Sequence, residues 1–331
     1  MAEVVPDSEL RTPHPPYLPI HLTTFFQPMT VMEALQWANN KLRKSNVDSP
    51  MLDAEILLSH TLEVSKSWLF AHFTDALKIH QREKFHLLVD RRATREPVAY
   101  LVGKKSFYGR DFLVNTFVLI PRPETEVLVE AALEILNDVD PERTILADIG
   151  TGSGVIAVTL ASETKLPVIA SDIDPSALSI AKQNAELNGV ADHVDFQQGN
   201  LAEPLIRLFK TIREQKHVKT SSVYPFKHLV VTANLPYLPE SRIERLEPEV
   251  KTYEPRLALA SGADGLDHYF ELFRQLRQHR KVLPRRLSVL IEIDPDQRAA
   301  IEKMIHHDFP SAKPLIQKDL HGHDRVVGVE I

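Results

Sequence analysis

The sequence predicts an α/β protein in which a flexible, proline-rich tail and a bundle of helices precede a seven-stranded, doubly wound sheet. Apolar runs of strand length alternate with amphipathic segments through the last two thirds of the chain, as in largely parallel Rossmann-like sheets. Before them, the periodicity is helical and no strand pattern occurs. The 331 residues are enough for both parts. We expect a tail over 1–28, a helical domain over 29–105, and a β-hairpin linker with the sheet domain over 106–331.

The composition narrows the classes of protein to consider. A net charge of −6 argues against a protein that chiefly coats nucleic acid, because that affinity comes from Lys and Arg neutralising phosphates. The absence of cysteine excludes disulfides, thiolate metal sites and cysteine nucleophiles. No apolar run approaches the ~20 residues of a membrane helix, and the N-terminus lacks a signal-peptide pattern. We therefore expect a cytoplasmic protein that uses neither a membrane nor a metal.

The helical domain is predicted from its helix-start signals. Thr30 and Glu33 have the spacing of a capping box, in which each side chain binds an unpaired backbone N–H at the helix start. Ser49 before Pro50 indicates a second helix, because proline is favoured in the first turn. A third helix is expected over about 80–95.

The hairpin linker is expected over Ser106–Ile120, with its turn at Gly109–Arg110. Seven apolar runs are predicted strands: Ile145–Ile149, Val168–Asp172, Val194–Gln198, Leu229–Ala233, Ser288–Ile293, Lys313–Ile316 and Val326–Ile331. Five segments are predicted helices: Glu124–Leu136, Val155–Ser162, Ser176–Asn188, Tyr269–Leu283 and Gln297–Asp308. The polar stretch 207–227 is interpreted as a surface insertion.

A glycine-rich loop follows the first predicted strand. Gly150, Gly152 and Gly154 alternate with Thr151 and Ser153, and a helix is predicted directly afterwards. Glycines are needed where a strand turns sharply into a helix and a ligand approaches the backbone. A dinucleotide site has the spacing G-x-G-x-x-G, so the spacing G-x-G-x-G favours a different cofactor. A purely structural turn stays open as an alternative.

Asp172 ends the next predicted strand, 18 residues beyond Gly154. An acidic side chain at this place can accept hydrogen bonds from both ribose hydroxyls of a nucleoside cofactor. Asp174 lies close by, but we expect it to cap the helix that begins at Pro175.

Asn234-Leu235-Pro236-Tyr237 lies at the carboxyl end of an apolar strand. This motif predicts the transfer of a methyl group to a planar amide or amine nitrogen. An amide –NH2 has two donors and a delocalised lone pair, so it is a poor nucleophile. The Asn234 side-chain oxygen and the Leu235 carbonyl can each accept one N–H and stabilise the charge that develops during transfer. Tyr237 can lie over the planar group. A turn that merely ends a strand is the structural alternative.

Further motifs extend from about Thr30 to the C-terminus: Glu96-Pro97 with Tyr100-Leu101, Phe107-Tyr108-Gly109, Ile120-Pro-Arg-Pro-Glu-Thr-Glu126, Tyr253-Glu-Pro-Arg-Leu-Ala-Leu259, Asp264-Gly-Leu-Asp267, Lys318-Asp-Leu and Asp324-Arg325. Together with the site residues, they resemble the HemK/PrmC family of peptide-chain release factor N5-glutamine methyltransferases.

The resemblance implies a class I methyltransferase fold and an enzyme that uses S-adenosyl-L-methionine. It also implies a class I release factor as the protein substrate, methylated on the glutamine of its Gly-Gly-Gln motif. The helical domain would help to hold that substrate, and a monomer without direct nucleic-acid contact is expected. The residues expected to hold the cofactor are Gly150, Thr151, Gly152, Ser153, Gly154, Asp172, Asn200, Leu201 and Asn234. Those expected to hold the glutamine amide are Asn234, Leu235, Pro236 and Tyr237.

Two positions depart from the family pattern. Leu235 replaces the first proline of Asn-Pro-Pro-Tyr, although Pro236 still favours an extended conformation before it. Asn200 replaces an aspartate. Asn-Leu-Pro-Tyr is itself the motif of ribosomal-RNA adenine dimethyltransferases, which are the main alternative. A catalytically silent protein that binds S-adenosylmethionine is the third hypothesis.

Overall fold

The computed structural model describes residues 28–214 and 226–331, which divide into two compact units. The first unit ends at Val89 and the second begins at Asp90. Nearly all of the predicted tail, and residues 215–225 of the predicted insertion, lie outside the described residues. Within the described residues, no helix is long and apolar enough to cross a membrane.

The first unit is helical. It contains α1 (Val31–Lys44), α2 (Pro50–Leu62), α3 (Lys66–Ala71) and most of α4 (Ile79–Ala93). Their fully buried side chains include those of Leu42, Leu57, Leu58, Leu69 and Phe85. The sequence did not predict α3, because six residues are too few to show a helical period.

Two helix starts can be compared with their predictions. The capping box of α1 is confirmed: Glu33 N–H donates to Thr30 Oγ1 at 3.2 Å, and Thr30 N–H donates to Glu33 Oε2 at 2.8 Å. Pro50 lies in the first turn of α2 as predicted, but the Ser49 side chain makes no capping hydrogen bond.

The division between the units falls inside α4, whereas the sequence led us to expect a boundary near 105. Ion pairs explain why the end of α4 belongs to the second unit. Arg92 and Arg95 donate to Glu249 at 2.9 and 2.6 Å, and Glu249 lies on α11 (Pro248–Tyr253) of that unit. Helix α4 ends at Ala93, two residues before the predicted end, and Arg95 has a left-handed φ of +72°.

A short helix and a two-stranded hairpin follow. Helix α5 (Val98–Val102), which the sequence did not predict, leads into β1 (Lys104–Phe107) and β2 (Arg110–Leu113). The hairpin is confirmed, but its turn is Tyr108–Gly109, because Arg110 already pairs with Phe107. Tyr108 and Gly109 have φ values of +48° and +71°, as a two-residue turn between twisted strands requires.

All seven predicted strands are present, with ends that differ from the predictions by at most two residues. They are β3 (Thr144–Ile149), β4 (Val168–Asp172), β5 (Val194–Gln198), β6 (His228–Ala233), β7 (Arg286–Glu292), β8 (Leu315–Lys318) and β9 (Asp324–Glu330). Their order in the sheet is β5-β4-β3-β6-β7-β9-β8, and β9 runs antiparallel to the other six strands. The chain therefore reverses its direction of progress between β3 and β6, where such sheets bind ligands.

The five predicted helices correspond to α6 (Glu126–Leu136), α7 (Val155–Thr164), α8 (Pro175–Leu187), α12 (Asp267–Gln278) and α13 (Arg298–Asp308). A short helix, α10 (Glu240–Ile243), follows β6. The interpretation of residues 207–227 as an insertion was wrong for its first part, because α9 (Glu203–Glu214) covers it. Leu205, Ile206 and Phe209 bury one face of α9, and its charged residues occupy the other. This spacing of apolar residues is typical of an amphipathic helix, and the prediction overlooked it.

Candidate active site

A cavity opens at the carboxyl ends of β3, β4, β5 and β6, where the predicted site residues meet. The predicted residues that line it are Gly150, Thr151, Gly152, Ser153, Asp172, Asn200, Leu201, Asn234, Leu235 and Pro236. Two predicted residues, Gly154 and Tyr237, are not among the residues that line the cavity. Gly154 instead is the N-cap residue of α7, with a left-handed φ of +81°. Within the described residues, no group of three or more metal-binding side chains occurs.

The glycine loop after β3 is shaped by left-handed backbone conformations. Gly150 and Gly152 have φ values of +72° and +56°, which favour glycine. A Cβ on Gly150 would lie 2.7 Å from Leu235 Cδ2, so this glycine lets the two loops pack together. A Cβ on Gly152 would meet no atom within 4 Å, so this part of the loop faces open space.

Asp148, near the end of β3, connects the glycine loop to the neighbouring strand β6 through hydrogen bonds. Its carboxylate accepts hydrogen bonds from Thr151 Oγ1 at 2.6 Å and from Thr232 Oγ1 at 3.0 Å. Burial raises its pKa to about 6, against the effect of these two hydroxyls. The sequence indicated no role for this residue beyond its place in the motif. Its contacts fix Thr151 to the sheet.

Asp172 is oriented by two backbone N–H groups. Its Oδ2 accepts from Gly152 at 2.8 Å, and its Oδ1 accepts from Asp174 at 2.9 Å. Burial raises its pKa. Each carboxylate oxygen has a further lone pair, so both can still accept a hydroxyl from a ligand in the cavity. Asp174 caps α8 through Ser176 N–H at 2.8 Å, which confirms that prediction.

Asn234 is held by a residue that is distant in the sequence. Its Nδ2 donates to Thr125 Oγ1 at 3.1 Å, and Thr125 is buried just before α6. Because the amide nitrogen is engaged with Thr125, Oδ1 is the atom that can receive a hydrogen bond from a substrate. Thr125 belongs to the motif from Ile120 to Glu126, but the sequence did not indicate which member of that motif meets Asn234.

Leu235 is fixed through its backbone and its side chain. Its N–H donates to the Tyr269 hydroxyl at 3.3 Å, and its side chain, 2% exposed, packs against Gly150. The Tyr269 hydroxyl in turn donates to the Glu292 main-chain carbonyl. No described residue donates a hydrogen bond to the Leu235 carbonyl.

Tyr237 is linked to β7 through its hydroxyl. Its hydroxyl donates to Glu292 Oε1 at 3.4 Å, and burial raises its pKa well above the ordinary value for tyrosine. The bond to Glu292 directs the hydroxyl toward the end of β7. Within the described residues, Pro236 and not Tyr237 forms this part of the cavity wall.

Two further wall segments were recognised in the sequence but given no role. The lining residues of these segments, 117–122 and 255–258, are Phe117, Val118, Leu119, Pro121, Arg122, Pro255, Leu257 and Ala258. Glu254 joins the two segments. It accepts from Ile120 N–H at 3.2 Å and from Arg122 at 2.5 Å, while burial raises its pKa. The sequence also missed His268, which lines the same cavity. Its Nδ1 lies 2.5 Å from Ser261 Oγ, and burial lowers its pKa.

Two family models match separate parts of this chain. Residues 33–103 match the PrmC N-terminal domain, and residues 126–215 match the ribosomal protein L11 methyltransferase family. The hMettl16 catalytic domain in complex with the MAT2A 3'UTR hairpin 6 superposes with a TM-score of 0.50 at 14% identity, covering 72% of this chain and 81% of that one. This likeness confirms the predicted fold alone.

Two curated relatives are named release factor glutamine methyltransferase. The one from Nitratidesulfovibrio vulgaris is 39% identical over 255 residues, covering 76% of this chain and 80% of the relative. The one from Bacillus cereus is 35% identical over 305 residues, covering 92% of this chain and 100% of the relative. The resemblance found in the sequence is therefore confirmed, and this chain belongs to the release factor glutamine methyltransferase family.

Proposed function

We propose that this chain transfers a methyl group from S-adenosylmethionine to the side-chain amide nitrogen (N5) of the glutamine in the Gly-Gly-Gln motif of a class I release factor. The observation that carries the proposal is the pair of acceptors at the end of β6. Asn234 and Leu235 are consecutive residues that both line the cavity, and the Asn234 amide nitrogen is engaged with Thr125. The names of the curated relatives favour this substrate over an RNA adenine.

The residues around the glycine loop fit S-adenosylmethionine. Gly152 has open space where a side chain would lie, so a ligand can approach the backbone closely. Asp172 presents an oriented carboxylate, which suits the two hydroxyls of a ribose. Asn200 and Leu201, at the end of β5, line the neighbouring part of the cavity and would border the adenine. When bound, the cofactor supplies a methyl group activated by its positively charged sulfur.

The two acceptors after β6 match the two N–H donors of a primary amide. Asn234 Oδ1 would accept one and the Leu235 carbonyl the other, which fixes the nitrogen and the direction of its lone pair. As the nitrogen gains a bond, its N–H groups become more positive and both hydrogen bonds strengthen, so the transition state is stabilised more than the substrate. The positive charge makes those protons acidic, and one can leave after transfer without a strong base.

The cavity walls favour this reaction by limiting water. The side chains of Val118, Leu119, Val155 and Ile156 line the cavity, and Leu235 closes against Gly150. In such surroundings, hydrogen bonds to a developing charge are stronger than in water. Hydrogen bonds to the Leu235 carbonyl and to Asn234 Oδ1 would therefore stabilise the developing charge more than they would in water.

The remaining expectations belong to the same proposal. The helical domain, whose residues 33–103 match the PrmC N-terminal domain, would dock the release factor. We propose that the protein acts as a monomer in the cytoplasm and needs no nucleic acid for transfer. Sedimentation of the pure protein tests the first statement, and activity after nuclease treatment tests the last.

Mass spectrometry of the Gly-Gly-Gln peptide tests the function. The peptide from the cognate release factor should become heavier by one methyl group when the factor is incubated with this protein and S-adenosylmethionine. Fragmentation should place that methyl on the glutamine side chain. Omission of the cofactor gives the control. Methyl transfer to ribosomal RNA under the same conditions, with an unmodified release factor, would contradict the proposal.

A further inference from the structure

The hairpin formed by β1 and β2 is fastened to three helices of the sheet domain. Helix α7 follows the glycine loop and α8 follows Asp172, so both helices begin next to residues predicted to hold the cofactor. Hydrogen bonds join the hairpin to α6, α7 and α8 at three places: Tyr108 to Glu126, Arg110 to Glu163, and Leu113 to Asn184. The hairpin is therefore attached to elements that border the cofactor site.

Asn184 makes the contact that reaches the glycine loop. Its side chain is fully buried on α8. Oδ1 accepts from Leu113 N–H at 2.6 Å, while Nδ2 donates to the Leu113 carbonyl at 3.0 Å and to the Ser153 carbonyl at 2.8 Å. An amide –NH2 has two protons to donate, and both are used here. Asn184 therefore links β2 to the glycine loop through three hydrogen bonds.

The peptide between Ser153 and Gly154 is fixed on both sides. Its carbonyl accepts from Asn184 Nδ2, and its N–H donates to the Thr151 carbonyl at 2.8 Å. A Cβ on Gly154 would lie 3.1 Å from Ala181 Cβ, so the loop backbone lies directly against α8 at this point. Asn184 follows Ala181 by about one helical turn, on the same face of α8. The close contact at Gly154 thus brings the Ser153 carbonyl within reach of the Asn184 amide.

Order in this loop matters for a ligand, because glycine has more accessible backbone conformations than other residues. Gly150, Gly152 and Gly154 all have left-handed φ values. Fixing them costs conformational entropy, and a ligand that meets a loop already fixed does not have to offset that cost. The hydrogen bond from Asn184 fixes the end of the loop from which α7 begins.

We propose that Asn184 is a positioning residue for the cofactor. It holds the Ser153 carbonyl to β2 and thereby orders the glycine loop before S-adenosylmethionine binds. The inference rests on the proposed function for the identity of the ligand. Because the Asn184 side chain is fully buried, water does not compete for its three hydrogen bonds. The hairpin, which the sequence predicted as a linker, then also supports the cofactor site.

Alanine substitutions at Asn184 and Asn188 test the proposal. Asn188 caps the end of α8, and its Nδ2 donates to the Asp111 carbonyl of the hairpin at 3.3 Å and to the Asn184 carbonyl at 2.9 Å. Neither acceptor belongs to the glycine loop, so Asn188→Ala is the matched control. Calorimetry should show a Kd for S-adenosylmethionine raised roughly ten-fold in Asn184→Ala, the scale for one buried hydrogen bond, and less than about two-fold in Asn188→Ala. An unchanged Kd in Asn184→Ala would overturn the proposal, as would equal increases in both variants.

Steady-state kinetics separate a disordered loop from a general loss of folded protein. Asn184→Ala should raise the KM for S-adenosylmethionine about as much as the Kd, because the loop is ordered equally before and during transfer. Its kcat at saturating cofactor should stay within about three-fold of the unsubstituted value. A smaller folded fraction would instead lower kcat and leave KM unchanged, and that result would refute the positioning role.

Hydrogen exchange in the unsubstituted protein covers the case in which Asn184→Ala does not fold. If closure of the Asn184 contact favours the cofactor, the cofactor must favour closure by the same factor. Saturating S-adenosylmethionine should therefore slow exchange of the Leu113 N–H, which donates to Asn184, roughly ten-fold. Tyr108 N–H is the control, because it lies at the turn of the same hairpin and donates to Glu126, so its exchange should change less. Unchanged exchange at Leu113 would contradict the proposal.

Calorimetry and hydrogen exchange need no release factor, so they separate this inference from the proposed function. If the Kd of Asn184→Ala and the exchange at Leu113 behave as expected but release factor is not methylated, only the proposed function fails. If release factor is methylated but the Kd and the exchange are unchanged, only the positioning role of Asn184 fails.

Discussion

The backbone N–H of Leu235 donates to the Tyr269 hydroxyl at 3.3 Å, so the residue that departs from the family motif is held by a hydrogen bond that proline cannot make. Tyr269 is fully buried on α12 and donates its own proton to the main chain of Glu292. The leucine at this position is therefore matched to its surroundings through both its N–H and its side chain.

Leu235→Pro is expected to lower the stability of the protein, although it restores the sequence of the family motif. It removes the N–H that donates to Tyr269, which should lower the free energy of unfolding by about 1 kcal/mol. It also removes part of a buried apolar side chain. The Leu235 carbonyl is kept, so kcat should fall less than it does after loss of Asn234. Thermal unfolding and kcat measure the two effects. Tyr269→Phe removes the same acceptor and serves as the matched variant. A Leu235→Pro protein with unchanged Tm would show that the hydrogen bond contributes nothing.

Asn234→Ala should lower kcat by about 10²–10³, the range for losing one preorganised polar group at a developing charge. The Kd for S-adenosylmethionine should change much less, because Asn234 Oδ1 is aimed at the incoming amide. Single-turnover methylation of release factor and calorimetry with the cofactor measure these quantities. Asn137→Ala, at the exposed end of α6, is the control. Near-normal turnover in Asn234→Ala would remove the central element of the proposed mechanism.

Asp172→Ala should weaken binding of S-adenosylmethionine by about 1.5–3 kcal/mol, the range for hydrogen bonds to a charged group. Part of this loss in affinity would come from a less ordered glycine loop, because Asp172 also accepts a hydrogen bond from Gly152 N–H. Asp140→Ala is the control, because Asp140 is exposed, does not line the cavity and accepts a local hydrogen bond from Glu142 N–H at 3.1 Å, so its loss should have little effect on affinity. Calorimetry gives both affinities. Equal affinity in Asp172→Ala and the unsubstituted protein would exclude Asp172 from the cofactor site.

Glu292→Gln should change how stability depends on pH. Burial raises the pKa of Glu292 to about 7 in the folded protein. The folded protein therefore binds this proton more tightly than the unfolded chain does, and protonation of Glu292 stabilises the fold. This contribution is complete below the unfolded pKa and is lost as pH rises through about 7; the shift corresponds to roughly 3 kcal/mol. Glutamine does not titrate. The Tm of Glu292→Gln relative to the unsubstituted protein should therefore be higher at about pH 8 than at about pH 5.

Exposed Glu142→Gln supplies the control for that comparison, because it removes a charge without burial. Its Tm difference from the unsubstituted protein should be nearly the same at both pH values. If Glu292→Gln behaves in the same way, the carboxyl of Glu292 does not titrate with a raised pKa.

A release factor with the Gly-Gly-Gln glutamine changed to asparagine should not be methylated. Asparagine is one methylene shorter, so its amide nitrogen would fall short of the near-attack distance of about 3–3.5 Å. Incorporation of labelled methyl groups measures the effect, and the unchanged release factor is the control. Equal labelling of both substrates would show that the protein does not select the length of this side chain.

The sequence determined the sheet and the loops that follow its strands. Each strand is a short apolar run, and in a parallel sheet the residues after neighbouring strands share one edge. Gly150, Asp172 and Asn234 could therefore be assigned to one site from the sequence alone. Helix α9 was missed although its apolar residues have helical spacing, because the charged residues between them were interpreted as a surface insertion. The ion pairs of Arg92 and Arg95 with Glu249 could not be foreseen either, because their partners are more than a hundred residues apart.

Only the tertiary structure decided how the site is oriented. Thr125 and Asn234 are 109 residues apart, and Tyr269 follows Leu235 by 34 residues. These pairs meet because β6 lies between β3 and β7, while α6 contacts the same sheet and α12 shares a buried core with β6 and β7. A local pattern specifies which residue ends a strand, since strand and turn preferences act over a few neighbours. It does not specify which distant side chain holds that residue, because this depends on the order of the strands and the packing of the helices.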